Sequence, residues 1–324
     1  MKTRRACLGS IAGMAALFFP PAGRAEAWPS KPVKIIVPFG AGGNTDIVAR
    51  IIAQPLSDVF GQQFVIDNRP GAAGALGADA VARAPADGYT LLMASLPQLA
   101  IVPAMSKTPY DPIRDFAPIS NVGTNPFVLT VRGNLPISTV AEFIAYARQQ
   151  PNKLTYVATG VGSLNHLTMA LFLHRAGFQM IPVMYKGGPV GLTDLIGGHV
   201  DAYFASLSHV APHATNAALR FLAITSEQRA PQLPAVPTFA EAGFPGFSSV
   251  LWTGLLAPTG TPKEIVQRIA AETSRLVKDP SVRERLAGNG IDPLGNTPAE
   301  FAAMIAADVA FWAEAVKVTG VQER

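Results

Sequence analysis

The sequence predicts an α/β protein of two lobes, joined by two chain crossings that make a hinge with a ligand cleft between the lobes. Three observations lead there. The chain has 324 residues, more than one compact core usually needs. Short apolar strand-like runs alternate with helical stripes from the start, as in a parallel sheet covered on both faces. A late strand-like run, residues 252–257, returns the chain to the unit it began in, so the lobes share two crossings.

The elements follow in order. Residues 33–38 are a β-branched run ending at glycines 40, 42 and 43. Ile47, Val48, Ile51, Ile52, Leu56, Val59 and Phe60 then form a helical stripe, with Pro55 expected to kink it near Ile51. Residues 64–67 read as a strand, 74–84 as a helix of small residues and 89–94 as a third strand. A second set begins near Pro126, with a strand over 127–131. Thr139 and Glu142 have the spacing of a capping box and open a helix to about Gln149. Strands follow at 154–158, 179–185, 201–205 and 219–225, with helices after Ser163 and around 192–196. Residues 226–248 are a Pro- and Gly-rich connection. Three helices close the chain, over 262–278, 280–287 and 299–318. The crossings are expected near 121–127 and 248–253. Lobe 1 is then 28–124 with 251–324, and lobe 2 is 125–250.

Residues 1–27 read as a secretory signal peptide. Lys2, Arg4 and Arg5 precede a short apolar run, and Ala25-Glu26-Ala27 fits a small-x-small cleavage site. Export by the general or the twin-arginine route is compatible with this leader, with cleavage after Ala27 and a periplasmic destination. The leader holds four of the 26 basic residues and one of the 22 acidic, leaving 22 against 21. That balance removes the main support for a nucleic-acid partner. The single cysteine, Cys7, lies in the leader, so the mature chain forms no disulfide.

Three loops carry the candidate chemistry. Pro38-Phe39-Gly40-Ala41-Gly42-Gly43-Asn44-Thr45-Asp46 joins a strand to a helix, where free N–H groups suit an anion. It reads equally as an ordinary tight turn. Asp46 would repel an anion unless it caps the turn or pairs with Arg50. A dinucleotide fingerprint would need Gly or Ala at position 45, which is Thr45. Asn68-Arg69-Pro70-Gly71-Ala72-Ala73-Gly74 is a second such loop, in which Arg69 adds a charge or is a surface residue. Thr159-Gly160-Val161-Gly162-Ser163 is a third, with Ser163 expected to cap the next helix. All five histidines fall between 166 and 213, but no zinc spacing accompanies them, so no metal is expected. No nucleophile elbow, Walker loop or cysteine nucleophile is present, so no catalytic residue or cofactor is assigned.

Taken together, the segments resemble the exported solute receptors of tripartite tricarboxylate transporters, the Bug family. The resemblance rests on Trp28-Pro29, Lys31-Pro32, the first two glycine loops, and Asp87-Gly88-Tyr89-Thr90-Leu91-Leu92 with Ser95. It continues through residues 160–167, Tyr185-Lys186-Gly187, Asp194-Leu195, Gly197-Gly198-His199-Val200-Asp201, Val236-Pro237-Thr238 and Trp252-Thr253-Gly254. It implies a type II-like periplasmic binding protein, a monomer that closes on a small carboxylate or amino acid and serves the transporter's membrane subunits. It also implies a site made by Phe39, Gly40, Ala41, Gly43, Thr45, Ala72, Gly74 and Ser95 in lobe 1, with Gly160, Ser163, His166, Tyr185 and Asp201 in lobe 2. One departure stands out. The family's Tyr-Lys-Gly-x-x-Pro-Ala reads here Tyr185-Lys186-Gly187-Gly188-Pro189-Val190-Gly191, in a loop expected to face the distal end of the solute. A ligand sensor would have the same pocket, and a secreted α/β enzyme would need a nucleophile and base in the cleft.

Overall fold

The computed structural model describes residues 28–321, so the leader expected over 1–27 lies outside the described residues. In the first lobe β1 (Val33–Val37) lies between β2 (Phe64–Asn68) and β3 (Thr90–Ser95), all parallel. These runs are apolar throughout because helices cover both faces. The stripe of α1 (Asn44–Phe60) buries Val48, Ile52 and Leu56 against Val33, Ile35 and Val37. On the same face lies α8 (Lys263–Leu276), through Ile269. α2 (Ala75–Ala82) covers the other face, and α9 (Pro280–Gly288) packs beside α1.

One strand belongs to both lobes. β4 (Phe116–Arg132) is 17 residues long, and its first part pairs antiparallel with β9 (Val250–Pro258), which pairs with β3. Its last six residues, from Phe127, enter the second sheet between β7 (Ala202–Ser206) and β8 (Leu219–Ile224). β5 (Thr155–Ala158) runs parallel to β7 and to the edge strand β6 (Ile181–Met184). Pro126 faces Val250 in the register, so the two chain crossings run side by side. The short β10 (Asp292–Pro293) also pairs with β4.

The second lobe takes α4 (Val140–Arg148), α5 (Leu164–Ala176), α6 (Gly188–Ile196) and the short α7 (Leu207–Val210). Thr139 and Glu142 form the capping box that their spacing predicts. Phe172, Phe204, Phe239 and Phe247 pack edge to face and stacked in its core, with centroids 4.5–6.1 Å apart. The last helix, α10 (Pro298–Thr319), lies against β4 and reaches α5 of the second lobe. It also touches a π-helical turn, Pro97–Ile101, which runs into α3 (Val102–Met105).

Two details differ from the sequence reading. α1 runs through Pro55 as one helix. Residues 121–126, read as part of a crossing, are strand, together with 116–120 before them. Pro118, Gly123 and Pro126 disguise them, and the register shifts between Pro118 and Ser120 and between Asn121 and Gly123.

Candidate functional site

A cavity of about 750 Å³ opens where the loops following β1, β2, β5 and β7 meet. Phe39, Asn44 and Ala72 line it from the first lobe. Thr159, Gly160, Ser163, Ser206, Ser208 and His209 line it from the second, with Asn125 and Leu251 at the crossings. The first and third glycine loops therefore share one cleft.

The first loop is held from behind by Asp46. Its buried carboxylate accepts from Gly42 N–H at 2.8 Å, Arg50 Nε at 2.9 Å and Asn68 Nδ2 at 2.9 Å. Asn68 Nδ2 also donates to the Phe39 carbonyl at 3.1 Å. Burial by itself raises the Asp46 pKa. The hydrogen bonds from Arg50, Gly42 and Asn68 outweigh it and hold the carboxyl below its ordinary value. Asp46 thus closes the turn and pairs with Arg50 at once, with its charge spent on those donors. The amides of Ala41, Gly43, Asn44 and Thr45 donate to no protein acceptor among the described residues. They lie at the N-terminus of α1, where the helix dipole favours an anion.

The second loop is strained. Gly71, Ala72, Ala73 and Gly74 have φ of 139°, 46°, 51° and 95°. A left-handed alanine costs about 1–2 kcal/mol, so two in succession need a reason. The turn sets Ala72 and Ala73 on the cavity wall, with N–H groups that meet no protein acceptor among the described residues. Gly74 packs behind them, where a Cβ would lie 3.2 Å from the Phe39 ring and 3.3 Å from Gln98 Cβ. Arg69 pairs with Asp67 at 3.0 Å and does not line the cavity.

In the third loop Ser163 starts α5 without capping it. Its hydroxyl lies 2.8 Å from the Gly160 carbonyl and 2.7 Å from Asn165 Oδ1, and so fastens the loop. Gly162 N–H donates to His166 Nδ1 at 3.3 Å. Burial lowers the pKa of His166, which stacks on Tyr156. Across the cleft, a Cβ on Gly162 would meet the sulfur and methyl of Met105, which would have to swing aside.

Of the thirteen expected site residues, Phe39, Ala72, Gly160 and Ser163 line the cavity. Gly40, Ala41 and Gly43 form the exposed loop between Phe39 and Asn44, and Thr45 is buried beneath it. Gly74, Ser95 and His166 lie behind the wall. Ser95 is buried and gives its hydroxyl to Gln98 Oε1 at 2.7 Å. Tyr185 and Asp201 are not brought to the cavity. The Tyr185 hydroxyl donates to Asp194 at 2.9 Å, and burial together with that carboxylate pushes its pKa to about 12. Asp201 precedes β7, whereas the cavity lies past its end. It pairs with Arg132 at 2.7 Å and accepts from Thr155 N–H and Oγ1 at 2.7 and 3.0 Å. The sequence reading missed Asn44, Asn125, Tyr203, Ser206, Ser208 and His209. Tyr203 and Ser206 lie in β7, and Ser208 and His209 in α7, which follows it directly with no glycine to mark the junction. Among the described residues no group of three or more His, Cys, Asp or Glu is placed to hold a metal. No described helix is long and apolar enough to cross a membrane.

Comparison with known proteins places this geometry. Residues 48–321 match the family model described as tripartite tricarboxylate transporter family receptor, TctC. Protein BugT of Bordetella pertussis is 36% identical over 300 residues, covering 92% of each chain. The structure of Rpa4515 from R. palustris with adipate is 37% identical with a TM-score of 0.77, covering 91% of this chain and 99% of its own. The structure of the periplasmic binding protein BugD is 33% identical with a TM-score of 0.74, covering 92% of this chain and all of its own. The matching family model is that of a receptor, and BugD is a periplasmic binding protein. The chain belongs to the tripartite tricarboxylate transporter receptor family, with the two-lobed fold of its Bug members.

Proposed function

We propose that this protein is a periplasmic receptor that captures a small carboxylate in the cleft and delivers it to the membrane subunits of a tripartite tricarboxylate-type transporter. One observation carries the reading. Two loops of lobe 1, whose main-chain amides have no protein acceptor among the described residues, border one cavity with the glycine loop of lobe 2. The adipate in Rpa4515 supports the ligand class. In this reading the leader is removed after Ala27 and the receptor works as a monomer. Lobe 1 comprises 28–124 with 251–324 and lobe 2 comprises 125–250, the limits lying at the paired crossings of β4 and β9.

The energies are sufficient. Micromolar binding needs about 8 kcal/mol. A hydrogen bond to a charged group contributes roughly 1.5–3 kcal/mol, so several, in a cleft that closes to exclude water, reach that value after ordering costs. Closure would also form the surface that the membrane subunits read. Calorimetry on the mature chain with a panel of small carboxylates tests this. One acid should bind stoichiometrically and be recovered unchanged, and deleting the gene should abolish its uptake. Binding by none of them, or turnover of the bound acid by pure protein, contradicts the proposal.

A further inference from the structure

We propose that the solute carries a single carboxylate and that its other end is an uncharged, hydroxyl-bearing group received by Tyr203 and His209 in a space kept open by Gly188. This rests on the carboxylate reading above and narrows it.

The first argument is charge. Among the residues lining the cavity only Lys107 carries one, and it is exposed on the lobe 1 side. The lobe 2 wall offers neither lysine nor arginine to a second anion. A second carboxylate would be desolvated against neutral side chains there, whereas the first meets the free amides at the N-terminus of α1.

The second argument is the chemistry of that wall. His209 Nδ1 is buried and has no hydrogen-bond partner among the described residues. The Tyr203 hydroxyl donates to and accepts from no protein group among the described residues. Burial lowers the pKa of His209 and raises that of Tyr203, so both are neutral near pH 7. A neutral imidazole nitrogen is either a donor or an acceptor, and a phenol is both. A hydroxyl satisfies every such combination. A carboxylate only accepts, and leaves an accepting Nδ1 unpaired.

The third argument is space. Gly188, at the start of α6, lies against both side chains, and a Cβ there would fall 2.7 Å from Tyr203 Oη and 2.9 Å from His209 Cε1. Its φ is not left-handed, so glycine is not needed for the backbone. Ile101, Val102, Met105, Val161 and Leu164 also line the cavity and suit an apolar body.

The test is calorimetry on the mature protein with acids matched in length and differing at the far end. One set is unsubstituted, ω-hydroxy and ω-carboxy straight-chain acids of four to eight carbons. The other is phenylacetate, 4-hydroxyphenylacetate and 4-carboxyphenylacetate. The hydroxy acid of the preferred set should bind about tenfold tighter than both partners, the worth of one or two neutral hydrogen bonds. Gly188→Ala and Tyr203→Phe, each verified as folded by melting temperature, should bring the ratio of hydroxy to unsubstituted acid near one. Tighter binding of the dicarboxylate, or a ratio unmoved in both variants, overturns the proposal. Failure of every acid to bind removes the carboxylate reading itself, and this proposal with it.

Discussion

Replacing Asp46 by alanine removes the one carboxylate that ties the first glycine loop to the sheet. Three donors meet it: Gly42 N–H, Asn68 Nδ2 and Arg50 Nε. Arg50 is half-exposed and regains water when its partner goes, so it contributes little to the loss. The other two donate to an ionised acceptor, and such bonds are worth about 1.5–3 kcal/mol each. The variant should therefore lose about 3–6 kcal/mol, roughly 5–10 °C in melting temperature for a chain of this size. Urea and thermal unfolding of the mature protein measure it, and ligand affinity should fall as well because the loop amides lose their support. The pH dependence has a definite sign. The folded pKa of Asp46 lies below its unfolded value near 3.8, so its stabilisation is present above that pH and disappears as pH falls through the folded value. The gap between wild type and variant should be constant from about pH 5 to 8 and narrow below about pH 4. A loss under about 1 kcal/mol, or a gap that widens in acid, refutes the clamp.

Three further outcomes follow from the same contacts. Gly162→Leu places a side chain against Met105 at a φ of +72°. It should cost about 1–2 kcal/mol of stability and weaken binding at least about tenfold by holding the lobes apart, with Met105→Ala restoring part of the affinity. Asp201→Asn breaks the pair with Arg132 and should cost about 2–4 kcal/mol in urea unfolding while calorimetry finds the affinity unchanged. Asp308 accepts from Trp252 Nε1 at 2.7 Å, and burial pushes its carboxyl up to about 6 from 3.8. Its charged form is thus penalised in the folded state, so stability falls as pH rises from about 4 to 6. Asp308→Asn keeps an acceptor for Trp252 and should flatten that slope and gain about 1–3 kcal/mol at pH 7, as unfolding curves across that range would record.

The fold was largely legible because its signals are local. The stripe of α1, the capping box at Thr139 and the apolar strands of the parallel sheets each follow from residues close in sequence. The long β4 was not legible, since its membership depends on pairing with β9 more than a hundred residues away and overrides Pro118 and Pro126. The site divides in the same way. Its backbone loops are marked by glycines, and each of the three contributes residues to one cavity. Its side chains depend on which partner reaches them first. His166 is taken by Gly162 N–H, Tyr185 by Asp194 and Asp201 by Arg132 and Thr155. No spacing in the sequence announces those pairings. The wall formed by Tyr203, Ser206, Ser208 and His209 went unread for the opposite reason, since it has the chemistry but no glycine motif.

The central claim is that backbone amides of the lobe 1 loops grip the carboxylate, and amide-resolved NMR of the labelled mature protein tests it most directly. Titration with the acid that calorimetry finds to bind tightest should move the resonances of Ala41, Gly43, Asn44 and Ala72 together and to saturation. Saturable binding that leaves those amides unmoved would contradict the account.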